Sequence, residues 1–141
     1  MTAREARWEV ERSRVRVVGG IMGGVGVKMR EGEFKVEGGV LGEVGVSGDE
    51  KSLVQIVRGQ MREVAVLGEM REVRVNGCVV RGGRIEVDGT EVTEIRASRL
   101  TGAIVTVRRA KRVIVVDSEV SEGGQMWVES ALVEVSGNKF H

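Results

Sequence analysis

The chain has 141 residues, enough for one domain with a buried core, and its 22 Lys and Arg against 21 Asp and Glu leave a net charge of +1. Near-neutrality gives no strongly basic or acidic surface overall, and no apolar run is long enough to span a bilayer as a helix. The single cysteine, Cys78, excludes an intrachain disulfide.

Valine dominates the apolar residues, Gly occurs 21 times, Pro and Tyr are absent, and only two Trp and two Phe are present. This composition predicts an all-β chain, and one unlike the usual sandwich, whose core leans on aromatics. Paired charge rich in Arg and Glu, with few thermolabile residues, fits a thermophile. The opening residues, Met1 to Arg7, carry no apolar stretch, which gives a cytoplasmic expectation.

In chain order, residues 1–13 begin with Thr2-Ala3-Arg4-Glu5, a possible helix capping box. The alternation of Ala6, Trp8 and Val10 that follows favours a strand at 6–12, covering the first coil. A Val-x-Val motif ending in or near Gly then recurs as Val15-Arg16-Val17, Val44-Gly45-Val46, Val73-Arg74-Val75 and Val133-Glu134-Val135, with a degenerate copy at Val105-Thr106-Val107. Val15, Val44 and Val73 are 29 residues apart. Two further series keep step, one through Val25, Val54, Ile85 and Val113, the other through Phe34, Val64, Thr93 and Met126. Repetition at a fixed period marks a stacked-repeat architecture.

The pattern predicts a right-handed parallel β-helix of about four to five coils of ~29 residues, with three short strands per coil. A left-handed form would show a six-residue repeat, which is missing. The implied coils are 14–42, 43–71, 72–102 and 103–131, with a partial last coil at 132–141, all in one domain over 1–141. Gly19, Gly48, Gly77 and Gly137 are predicted corners with positive φ. The pairs Gly38-Gly39, Gly82-Gly83 and Gly123-Gly124 are further corners.

The search for a catalytic or metal-binding set comes up empty. The lone histidine, His141, stands at the C-terminal position, so a histidine-based relay and a His/Cys zinc site lack their residues. The three aspartates are scattered, and Asp117-Ser118-Glu119 reads as turn chemistry rather than a glycosidase pair. The run from Gly19 to Gly26 has no following helix pattern and no Lys-Ser/Thr pair, so it is a corner rather than a phosphate loop. No catalytic residue, metal or cofactor is assigned.

Two places break the repeat. Arg108, Arg109, Lys111 and Arg112 replace a glycine corner with cations, a candidate contact for an anion, a carbohydrate or a partner. Nucleic acid is a less favoured ligand there, since no aromatic residue interleaves. Large apolar residues gather at the chain ends: Trp8 and Val10 at one, Met126, Trp127 and Phe140 at the other. They either plug the solenoid or form an end-to-end interface.

The stretch Glu72-Val73-Arg74-Val75-Asn76-Gly77-Cys78-Val79-Val80-Arg81-Gly82-Gly83-Arg84-Ile85-Glu86-Val87-Asp88-Gly89 resembles the bactofilins, polymer-forming bacterial cytoskeletal proteins. It is also similar to the C-terminal β-helical domain of the septum-site inhibitor of cell division, although the Ala-Gly-Ala signals of that domain are missing. The resemblance implies dimerisation or polymerisation of coils without catalysis. The expected activity is therefore that of a non-enzymatic, self-associating scaffold whose partner is itself or a larger assembly.

Overall fold

The structure is a computed structural model that describes residues 2–67 and 70–140; the side chains of residues 2–6, 22, 67, 131 and 140 lie outside the description. Its strands are β1 (Thr2–Glu11), β2 (Arg14–Val18), β3 (Ile21–Arg30), β4 (Glu33–Glu37) and β5 (Val40–Ser47). Next come β6 (Leu53–Val57), β7 (Gln60–Leu67), β8 (Glu72–Asn76), β9 (Val79–Asp88) and β10 (Val92–Arg96). The chain closes with β11 (Arg99–Thr101), β12 (Ile104–Val116), β13 (Glu119–Ser121), β14 (Gln125–Ser136) and β15 (Lys139–Phe140). Every pairing is parallel, so the all-β solenoid expected from the Val-x-Val alternation is what forms. The first residues are strand rather than helix: β1 pairs with β3 from Thr2↔Ile21 to Glu11↔Arg30 and is itself part of the first coil.

The coil is shorter than the sequence spacing suggested. Register partners such as Val15↔Phe34, Gln55↔Arg74 and Arg84↔Ile104 are 19 to 20 residues apart, not about 29. Val-x-Val strands occur twice per coil, on two different ladders half a coil apart. The motif at Val15-Val17 lies on the ladder of β2, β4, β6, β8 and β10, whereas Val44-Val46 lies on that of β3, β5 and β7. A spacing of 29 is thus one and a half coils, and the predicted boundaries at 14, 43, 72, 103 and 132 fall alternately on the two ladders. Three strand runs per coil do form, the third being the short run of β11, β13 and β15. Each of the two longer ladders stacks seven strand levels, about six turns in place of the expected four to five, and at the ~4.8 Å strand spacing stands about 30 Å tall.

Alternation sends one residue in two inward. Val17, Val36, Ile56, Val75, Ile95, Val115 and Val135 form one continuous inward column. The threonine in the neighbouring column, Thr93, is fully buried, and its hydroxyl is satisfied 2.6 Å from that of Thr90.

One corner repeats in every coil. Gly19, Gly38, Arg58, Gly77, Ala97, Asp117 and Gly137 all have φ between 51° and 72°. The positive φ expected at Gly19, Gly77 and Gly137 is present, but Gly48 lacks it and sits at a different corner, after β5. Gly48 is instead a close-packed position, where an added Cβ would lie 3.1 Å from Ser52 Cβ and 3.3 Å from Met70 Cγ. Beside the repeated corner runs a polar ladder. The Cys78 N–H donates to Ser98 Oγ, the Ser98 N–H to Ser118 Oγ, and the Ser118 N–H to Asn138 Oδ1. Buried backbone donors that leave the strand ladder here are thereby paired.

Charged residues on the outside pair between successive coils, as in Arg12–Glu31, Arg14–Glu33, Arg62–Glu43 and Arg74–Glu94. Glu37 binds Arg16 on one side and Arg58 on the other, and the Arg16 hydrogen bond holds its carboxyl below the usual carboxylate range. Such exposed pairs each contribute little, and together they fix which coil faces which.

Candidate functional site

The basic corner lies within β12, where Arg109 has φ 53° and Ala110 is buried. It does take the place of a glycine corner, since Gly89 (φ 85°) occupies the equivalent position one coil earlier. Carboxylates of the adjoining coils face its cations. Arg109 Nε lies 2.7 Å from Asp88 Oδ1, Lys111 Nζ 3.4 Å from Glu91 Oε1, and Arg112 3.5 Å from Glu134 Oε1. The Arg109 hydrogen bond holds Asp88 below its ordinary pKa, and the charges of Arg109 and Arg108 add to this. A shallow cavity of about 290 Å³ here is lined by three carboxylates, Glu50, Asp88 and Glu91, and two cations, Arg109 and Lys111.

Cys78 is buried, its thiol pKa pushed up by burial, and it donates to the Ile56 carbonyl. This is the inert packing role rather than a reactive thiol. Among the described residues no group of three or more His, Cys, Asp or Glu could hold a metal ion. His141 lies outside the described residues. Asp117 occupies the repeated corner and Ser118 the polar ladder, so Asp117-Ser118-Glu119 is corner chemistry, as its residue types suggest.

The end residues separate into distinct roles. Trp8 faces inward on the column of Val27 and Val46, half-buried, its ring 6.2 Å from that of Phe34. It plugs the first coil. Val10 is buried beside it and offers no surface to a partner. Met126 faces inward and is partly buried, packed against the core. Trp127 faces outward opposite Thr106, 64% exposed, with its Nε1 donating to Gln125 Oε1 at 3.2 Å. It therefore does not plug the last coil. The Phe140 side chain lies outside the described residues, while its backbone pairs with Val120.

The residues that leave this end open are ones the motif itself contains. Val133 and Val135 occupy the same inward columns as Val113 and Val115, which are fully buried, yet they are 49% and 51% exposed. β14 is hydrogen-bonded on one side only, to β12. Leu132 and Trp127 flank this open edge. A second exposed apolar group, Val18, Ile21 and Val40, lies on the first coils. The signal in the sequence was the last Val-x-Val copy itself, which repeats the inward pattern of Val113 and Val115 at Val133 and Val135.

No family model, curated protein or solved structure matches this chain. What the structure shows is the parallel β-solenoid expected from the repeat. Among the described residues no helix is long and apolar enough to cross a membrane.

Proposed function

We propose that the chain is a non-enzymatic structural solenoid that associates with itself or with a larger assembly through its terminal coils. The observation that carries this reading is the pair of core positions, Val133 and Val135, left about half exposed on an unpaired strand edge. Uncovered coil ends present both open core and unsatisfied backbone groups, which is why solenoids need caps or partners. Covering the exposed halves of two valines contributes about 2 kcal/mol. Association costs at least ~4 kcal/mol in lost freedom, so Leu132, Trp127 and the β14 hydrogen bonds must supply the remainder. Contacts of that strength give assembly that depends on protein concentration.

The alternative reading, a polyanion- or carbohydrate-binding corner at 108–112, has less support. Arg109, Lys111 and Arg112 already face carboxylates, so a ligand would have to displace Asp88, Glu91 and Glu134. Size-exclusion chromatography with light scattering, together with negative-stain microscopy, tests the leading reading. Stable oligomers or filaments support it, and a strict monomer at high concentration contradicts it.

A further inference from the structure

The polarity of association follows from the columns, given the self-association proposed above. We infer that copies join head to tail, the coil of β14 in one copy seating on the coil of β1 and β2 in the next. Each column of the stack begins in the first coil and ends in the last, so the two ends are consecutive members of one pattern. On the inside, the column ending at Val135 begins at Val17, the one ending at Val133 begins at Val15, and the one ending at Val128 begins at Trp8. Head-to-tail joining therefore sets Trp8, Val15 and Val17 of one copy over the half-exposed Val133 and Val135 of the other, the first coil being already closed by Trp8.

The outside decides between polarities. The outward column that ends at Glu134 begins at Arg16, and the one that ends at Trp127 begins at Arg7. Joined head to tail, Glu134 meets Arg16 of the second copy, and Trp127 meets Arg7 of the second copy. The same column already makes one such contact within the chain, Arg74 Nε to Glu94 Oε2 at 3.6 Å between neighbouring coils. A cation one strand spacing from an indole is likewise attractive. A two-fold join would instead set β14 against β14, or β2 against β2, antiparallel, where Glu134 opposes Leu132, Glu134 or Ser136 and Arg16 opposes Arg14, Arg16 or Val18 according to register, so neither meets an opposite charge on that strand. Three features oppose the head-to-tail join. Arg16 already binds Glu37 and Glu134 already faces Arg112, so the new pair shares each with a partner inside its own chain. Glu129 approaches Glu9 of the second copy near a corner. Thr2–Ala3 and Lys139–Phe140, which pair with Ile21–Met22 and Glu119–Val120, would fall on one ladder position, so one of these two-residue segments gives way.

Charge reversal on the full chain, read by sedimentation equilibrium, tests the polarity. Glu134→Arg and Arg16→Glu should each weaken association about tenfold. The double variant should recover it, and so should an equimolar mixture of the single variants, whose copies can alternate so that every joint carries an opposite pair. Association that responds to only one of the two reversals, or that the double variant does not recover, overturns the polarity while leaving self-association intact. A wild-type chain that never associates overturns the self-association reading itself. Circular dichroism on each variant separates loss of contact from loss of fold.

Discussion

Gly83→Ala tests the coil period directly. In the 20-residue coil, the stretch around Arg62 passes beside Gly82 and Gly83, where the register of β7 and β9 shifts between Met61 and Glu63. A Cβ on Gly83 would overlap the Arg62 carbonyl oxygen and lie 2.5 Å from its carbonyl carbon. An ordinary contact needs ~3.5 Å and the oxygen is the nearer atom, so backbone must move by about 2 Å between strands held on both sides. Overpacking of this kind costs about 1–3 kcal/mol, and breaking a flanking ladder hydrogen bond adds about 1 kcal/mol. A total near 3 kcal/mol lowers Tm by roughly 10–15 °C in a chain of this size. Gly82→Ala is the control. It has φ +63° but nothing within 4 Å, so it carries only the left-handed strain of about 1 kcal/mol. Thermal melts followed by far-UV circular dichroism compare the two. Equal melting, or a larger loss for Gly82→Ala, would refute the assignment of Arg62 as the neighbour of Gly83.

Four further outcomes are expected. Ser98→Ala removes the acceptor for the Cys78 N–H and should cost about 1–3 kcal/mol in urea denaturation. Trp8→Ala opens the first coil over Phe34 and should cost about 2–4 kcal/mol, measured the same way. Asp49 is held below its ordinary value of 3.8 by the Ser52 hydroxyl and then the Glu31 N–H. A depressed carboxyl stabilises above its unfolded pKa and stops doing so as pH falls through its folded pKa. Stability should therefore drop below about pH 4, with a shallower drop in Asp49→Asn. Cys78, buried and with a raised thiol pKa, should react with an alkylating reagent only at the rate of unfolding; rapid labelling of the folded chain would contradict its placement.

The strand alternation was legible because inward and outward positions differ in polarity on every strand. Val73, Val75, Ile85 and Val87 are buried, while Arg74 and Glu86 between them are not. The period was misread because the two longer ladders carry nearly the same motif, so any odd number of half-coils gives a match. The repeated corner would have disclosed the 20-residue spacing had it been glycine throughout. Arg58, Ala97 and Asp117 adopt the left-handed conformation without being glycine, and they hide the series that runs from Gly19 to Gly137. The half-exposed core positions were partly legible, because Val133 and Val135 repeat the inward pattern of Val113 and Val115. Trp127 and Val10 were harder to place, because a single residue's facing depends on register, and a shift of one residue inverts it.

The most direct measurement is light scattering across a concentration series, comparing the wild-type chain with Val133→Asp/Val135→Asp. These positions are half exposed, so the variant should keep the wild-type circular dichroism spectrum. The wild-type mass should rise with concentration while the variant stays at the 15.3 kDa of one chain. A wild-type chain that remains monomeric, or a variant that assembles as the wild type does, would contradict association through the open coil.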